Sequence, residues 1–161
     1  MTDLDICMTK DIPPIDNSAR QTWLGVLARA TRVELEAKLA LVRELPAWQQ
    51  VRAPEVGMLM LRGRVGGTGS PFNLGEASVV RCAVRLADGA LGVAYALGRD
   101  KRRSELAALF DALLQDPARH DDLQRLLIAP LQTLQAQACE RRRREVAPSK
   151  VEFFTLVRGD A

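Results

Sequence analysis

Three short stretches of this chain gather groups that could hold an anion. The first is Gly63-Arg64-Val65-Gly66-Gly67-Thr68-Gly69. Glycines let main-chain amides approach a phosphate closely. The spacing fits neither the dinucleotide fingerprint nor the P-loop, and the lysine that should follow the last glycine is missing. A tight turn between strands accounts for the cluster equally well. The second stretch is Gly98-Arg99-Asp100-Lys101-Arg102-Arg103. Asp100 is a good N-cap for a helix, but the three cations behind it oppose the helix dipole, which favours acids there by ~0.3–1 kcal/mol each. Positive potential and unpaired amides thus meet at one point, as an anion site or an acidic partner would require; a solvated charged turn is the alternative. Arg64, Gly66, Gly67, Thr68, Gly69, Arg99, Asp100, Lys101 and Arg102 are therefore the candidate anion- or partner-binding residues. The third stretch, Arg141–Arg144 between Glu140 and Glu145, falls late in a helix, where cations complement the dipole. Nucleic acid is not an expected ligand: aromatic residues make up 4% of the chain and do not interleave with the basic ones.

The inventory for covalent or acid–base chemistry is thin. His120 is the only histidine, placed by pattern in a loop between helices beside Asp121 and Asp122. Three cysteines, Cys7, Cys82 and Cys139, are scattered, so no zinc-ligand spacing exists. Any Ser–His or Cys–His pair would have to use His120, and no local motif supports one. Neither a catalytic residue nor a metal site is expected, and no cofactor bound by this chain alone.

Composition sets the frame for these groups. The chain has 161 residues, enough for one domain, and 47% of them are apolar. Apolar runs such as Val56–Leu61 fall far short of the about 20 residues that span a bilayer. The start, Met1-Thr2-Asp3-Leu4-Asp5, resembles no signal peptide, and an odd number of separated cysteines suits reduced thiols. A cytoplasmic protein without membrane contact is the expectation. Net charge is +3, yet Met1–Ser18 sets Asp3, Asp5, Asp11 and Asp16 against Lys10 alone. Residues 1–18 read as a mobile acidic leader, and 19–161 as a single domain.

Periodicity supplies the elements that must position the candidates. Asn17 or Ser18 should cap a helix over Ala19–Ala30. Thr31 and Glu34 form a capping box for a second helix to about Glu44, with Leu35, Leu39 and Val42 as its stripe. The period then changes to 2. Trp48–Ala53, Val56–Val65, Val79–Leu86 and Leu91–Leu97 read as strands, the last two joined at Asp88-Gly89. Val80, Cys82, Val84 and Leu86 share one face. Gly92, Ala94 and Ala96 form a small-residue face suited to a closely packed helix. Leu106, Leu109, Phe110, Leu113 and Leu114 give the best amphipathic pattern. A further helix carries Leu123, Leu126, Leu127, Leu131 and Leu134, which Pro130 must kink or split. Val151–Val157 reads as a last strand. The class is α+β: a mostly antiparallel sheet, a meander of about four strands plus a C-terminal strand, with helices before and after.

Four stretches carry a resemblance. Arg64-Val65-Gly66-Gly67-Thr68-Gly69 with Phe72 and Gly75-Glu76, then Arg81–Gly89, then Leu97-Gly98-Arg99-Asp100-Lys101, and finally Ser149–Asp160 resemble, in order and spacing, motifs of the PhnG family. The Trp23 helix is similar to that family's usual beginning, and the likeness runs from about Arg20 to the C-terminus. It implies a subunit of the carbon–phosphorus lyase core complex. The H, I and J subunits would be its partners, together with an associated ATP-binding-cassette-like protein. In that family the G, H, I and L proteins transfer the ribose 5-triphosphate of ATP, the substrate of the complex, to methylphosphonate as adenine leaves. J is the radical subunit that later cleaves the carbon–phosphorus bond; this chain lacks the three-cysteine motif for its cluster. The resemblance implies a structural and positioning role here, with the chemistry centred on I. Glu76, Arg99 and Asp100 are the candidates if this chain donates groups to a shared active site. The apolar C-terminal segment, with Phe153, Phe154, Val157 and Arg158, reads as a partner-docking element; the alternative is that Phe153 and Phe154 alternate faces and close this domain's own core.

Overall fold

The computed structural model describes residues 17–42, 44–64 and 69–149. Two helices come first: α1 (Ser18–Arg29) and α2 (Arg32–Leu39). Asn17 precedes α1 without a capping side-chain bond. Thr31 and Glu34 form the expected capping box at α2. This helix stops five residues before Glu44. The amides of Leu41 and Val42 turn back to the carbonyls of Lys38 and Leu39, a tighter winding that closes the end. Leu39 and Val42 still pack against the core.

Among the described residues the sheet has three antiparallel strands in the order β1-β2-β3: β1 (Trp48–Gly63), β2 (Phe72–Leu86) and β3 (Leu91–Leu97). The two strands expected over Trp48–Ala53 and Val56–Val65 are one, so the expected meander of four becomes three. Pro54 does not divide it. β1 is an edge strand, where a missing N–H need cost no ladder bond, and register shifts between Gln50 and Arg52 and between Arg52 and Glu55 absorb the kink. β2 begins at Phe72, well before Val79, because Phe72–Ser78 pairs with Met58–Gly63 although it lacks an alternating pattern. The expected strand Val151–Val157 lies outside the described residues, as does almost all of the acidic leader.

One face of the sheet carries the core. Val80, Cys82, Val84, Leu86, Ala94 and Ala96 are buried there. Across them lies α3 (Lys101–Leu114), which buries Leu106, Leu109, Phe110, Leu113 and Leu114 as its period requires. The small face of β3 has the expected use: a methyl group at Gly92 would overlap the Ala108 carbonyl oxygen and stand 2.6 Å from the Ala112 nitrogen. Helix and strand backbones therefore meet with no side chain between them.

After α3, Asp116 caps α4 (Pro117–Leu123) through the Ala118 amide at 2.9 Å. A π-helical turn, Gln124–Ile128, leads into α5 (Ala129–Val146) and a 3-10 turn, Ala147–Ser149. Pro130 donates no hydrogen bond and would crowd the carbonyl four residues back; the wider π turn, in which the Ala129 amide reaches the Gln124 carbonyl, accommodates it. The extra residue also shifts the apolar stripe. Leu123, Leu127, Ile128 and Leu131 are buried, whereas Leu126 and Leu134 are exposed.

Replacement of Gly92 by Ala should cost at least about 3 kcal/mol, at the upper end for overpacking, because neither backbone can retreat. Urea unfolding of the two proteins measures this. A loss below about 1 kcal/mol would mean that α3 can lift off β3.

Candidate functional site

The second cationic stretch leads out of β3 into α3. Gly98 adopts a positive φ of 105°, and its amide donates to the Ser78 carbonyl at 2.8 Å, which fixes the turn on β2. Asp100 then caps α3 by accepting from the Arg103 amide at 2.9 Å. Of the cations, Arg102 lies against Glu105 at 2.5 Å, and Glu105 also accepts from the Gln50 side chain. Arg103 turns inward: its Nη2 donates to the carbonyls of Leu97, at 2.7 Å, and Ala28, at 3.3 Å. It thereby joins the end of α1 to the end of β3. Arg99 and Lys101 are exposed and form no ion pair among the described residues. The positive charge at this helix start is thus partly structural, which offsets its conflict with the dipole.

The glycine-rich stretch lies elsewhere. β1 and β2 run beyond the last β3 pair, Val79 with Leu97, as a two-stranded arm ending at Gly63 and Phe72. From Val79 to Phe72 the arm covers roughly 24 Å at ~3.4 Å per residue. Arg64 is exposed at its tip and Gly69 is half-buried; Gly66, Gly67 and Thr68 fall outside the described residues. Glu76 is exposed part-way along, opposite Met60. The two candidate anion regions therefore occupy opposite ends of the arm. Phe153, Phe154, Val157 and Arg158 fall outside the described residues.

The ionisable groups in the interior all serve the fold. Asp111 is fully buried and accepts four hydrogen bonds: Trp23 Nε1 at 2.8 Å, Arg20 Nε at 3.2 Å, Arg20 Nη2 at 2.7 Å and the Val93 amide at 2.9 Å. The sequence reading missed it. Its signal was an aspartate inside the apolar pattern Leu106–Leu114, answered by Arg20 and Trp23 on one face of α1. His120 is not in a loop but within α4. Its Nδ1 lies 2.8 Å from the Leu114 carbonyl, which can only accept, and its ring meets Trp23 edge-on at 5.4 Å. Cys82 packs on the core face as expected, with Sγ 3.5 Å from the Arg52 carbonyl; burial pushes its thiol up to about 11. Cys139 is exposed on α5, as are Arg141–Arg144.

Comparison with known proteins decides the family. The family described as "Phosphonate metabolism protein PhnG" matches residues 18–159. The chain belongs to the PhnG family. A relative from Rhizobium meliloti (strain 1021), "Alpha-D-ribose 1-methylphosphonate 5-triphosphate synthase subunit PhnG", is 41% identical over 157 residues, which are 98% of this chain and 99% of the relative. The PhnG match includes the whole described structure except Asn17, so both ends of the arm, the α3 start and the Asp111 cluster lie within it.

In a Cys7→Ser background, the native protein should present one fast thiol, Cys139, to a disulfide reagent at pH 8. Cys82 should react only on unfolding. Its thiol titrates higher in the folded state, at about 11 against an ordinary 9.0, so its effect on stability is absent below pH 9 and stability falls as pH rises from 9 to 11. Two equally fast thiols in the native protein would contradict the core placement.

Proposed function

We propose that this chain is a structural and positioning subunit of the enzyme that moves the ribose 5-triphosphate of ATP onto methylphosphonate, releasing adenine, in the catabolism of organic phosphonates. The carrying observation is the 41% identity, nearly end to end, with a relative named as a subunit of that synthase. Its partners in this reading are the H, I and J subunits and the associated ATP-binding-cassette-like protein, and its compartment is the cytoplasm.

The transfer brings two anionic reactants together while the sugar becomes cationic as adenine departs. Guanidinium groups and main-chain amides can neutralise and orient phosphates without moving a proton themselves. Arg99 and Lys101 are the described cations of the α3 start that neither a carboxylate nor a main-chain carbonyl engages, so they are available to an anion or an acidic partner surface. Asp100 is committed to capping α3 and Asp111 to the core, which favours positioning over acid–base work. A shared active site that draws on Glu76 and Arg99 is the second reading, supported by the exposure of both. The C-terminal segment with Phe153, Phe154, Val157 and Arg158 is a docking element in either reading.

Purified alone, the chain should release no adenine from ATP in the presence of methylphosphonate, while the assembled subunits should. Release by the isolated chain, surviving rigorous purification, would overturn the positioning role.

Replacing Arg99, Lys101 and Arg102 together with Gln should weaken ATP binding or assembly at least tenfold. The melting temperature should move by only a few degrees, since the Arg102–Glu105 pair at the surface contributes about 0–1 kcal/mol. Unchanged assembly with unchanged transfer would assign these cations to a solvated turn.

A further inference from the structure

The two edges of the sheet are finished differently. The β3 edge is occupied by the chain's own groups. The Val93 amide donates to Asp111, the Leu91 carbonyl accepts from Arg20 and Gln115, and the Leu97 carbonyl accepts from Arg103. These bonds block the pairing sites that an edge strand would otherwise offer. Among the described residues the β1 edge has no such cover. Between Val56 and Leu61 no hydrogen bond beyond the ladder to β2 is made among the described residues. The sequence there, Val-Gly-Met-Leu-Met-Leu, carries no charge and no proline, the devices that usually keep an edge from pairing.

Among the described residues both faces of the arm are bare as well. Val56 stands opposite Val80, which turns toward the helices, so Met58 and Met60 continue that side past the last covered residues. Leu59 and Leu61 lie on the other side. Val56, Met58, Leu59, Met60, Leu61 and Leu74 keep between 39% and 67% of their surface exposed. Together they offer on the order of 600 Å², close to the about 800 Å² per partner of a standard interface.

We infer that the arm is a docking element whose β1 edge, Val56–Leu61, takes an apolar strand from a different subunit as the fourth strand of the sheet. This rests on the reading of the chain as a subunit. Main-chain pairing along the edge supplies affinity, and alternate side chains entering apolar pockets supply specificity. A second copy of this chain does not satisfy the surface. Pairing two β1 strands closes the edge but joins two arms whose faces are equally bare, so the apolar area above and below stays in water. The occupant must bring its own apolar layer.

The test uses the full chain co-expressed with the other subunits of the synthase. Met58→Lys/Met60→Lys and Leu59→Lys/Leu61→Lys should each cut recovery of the assembled complex at least tenfold, while the isolated variants keep the wild-type circular dichroism and melt within a few degrees of it. In the wild type, the amides of Val56–Leu61 that face away from β2 should exchange at least 100-fold more slowly in the complex than in the isolated chain. Wild-type assembly by both variants overturns the inference. So does assembly with no slowing of those amides, and this measurement decides even if a lysine pair unfolds the chain. A wild-type dimer of the isolated chain that the lysines convert to monomer assigns the edge to a second copy and overturns the heterologous occupant. Failure of the wild type to assemble with any other subunit overturns the subunit reading itself, before any variant is made.

Discussion

The architecture depends on one buried carboxylate. Asp111 sits in the last turn of α3, on the face that packs on the sheet, where a charge without partners would cost several kcal/mol. Three donor atoms come from two side chains of α1 and one from the main chain of β3, so α1, β3 and α3 converge on two oxygen atoms. Arg20 is partly exposed and carries the compensating charge to the surface. The same interaction selects an arrangement as well as stabilising one. If α1 slid along the sheet by a turn, Trp23 would lose its acceptor and Asp111 would be left charged and underbonded. Apolar packing alone tolerates such slippage far better.

This clamp also explains how the sheet is closed on one side. Val93, Leu91 and Leu97 have polar main-chain groups occupied by Asp111, Arg20, Gln115 and Arg103. Charged groups that an isolated reading of the sequence assigns to surface or ligand roles are spent on the fold. Arg103 is the clearest instance: one of three cations at a helix start, it bonds two carbonyls belonging to α1 and β3. The candidate site is accordingly narrower than the run of basic residues suggests.

What could be read beforehand followed from local rules. The capping box at Thr31, the Asp100 cap, the buried face of β2 with Cys82, and the close approach at Gly92 each depend on near neighbours in sequence, and each is found. The misreadings have non-local causes. Pro54 breaks a strand by rule, but tolerance of it depended on β1 being an edge. Phe72–Ser78 shows no strand period because neither of its faces is buried, and pairing with β1 alone makes it a strand. His120 reads as a loop residue between helices, whereas Pro117 three residues before it starts a helix of its own. Asp111 needed knowledge of which helix would lie beside α3. Gly66, Gly67, Thr68 and the C-terminal phenylalanines lie outside the described residues.

The arm shares almost none of the interior, and this separates two kinds of constraint on the sequence. Residues around Asp111 are held by the need to fold. Those from Val56 to Leu61 contribute little to folding and are free to follow the shape of whatever lies against them. An uncovered, uncharged strand of six apolar residues is also a hazard while the chain is alone, because identical edges on neighbouring molecules can stack into sheets. A chain left over after its neighbours run out would therefore be prone to self-association and exposed to cellular quality control. A surplus chain is exposed to that hazard for as long as its edge stays open.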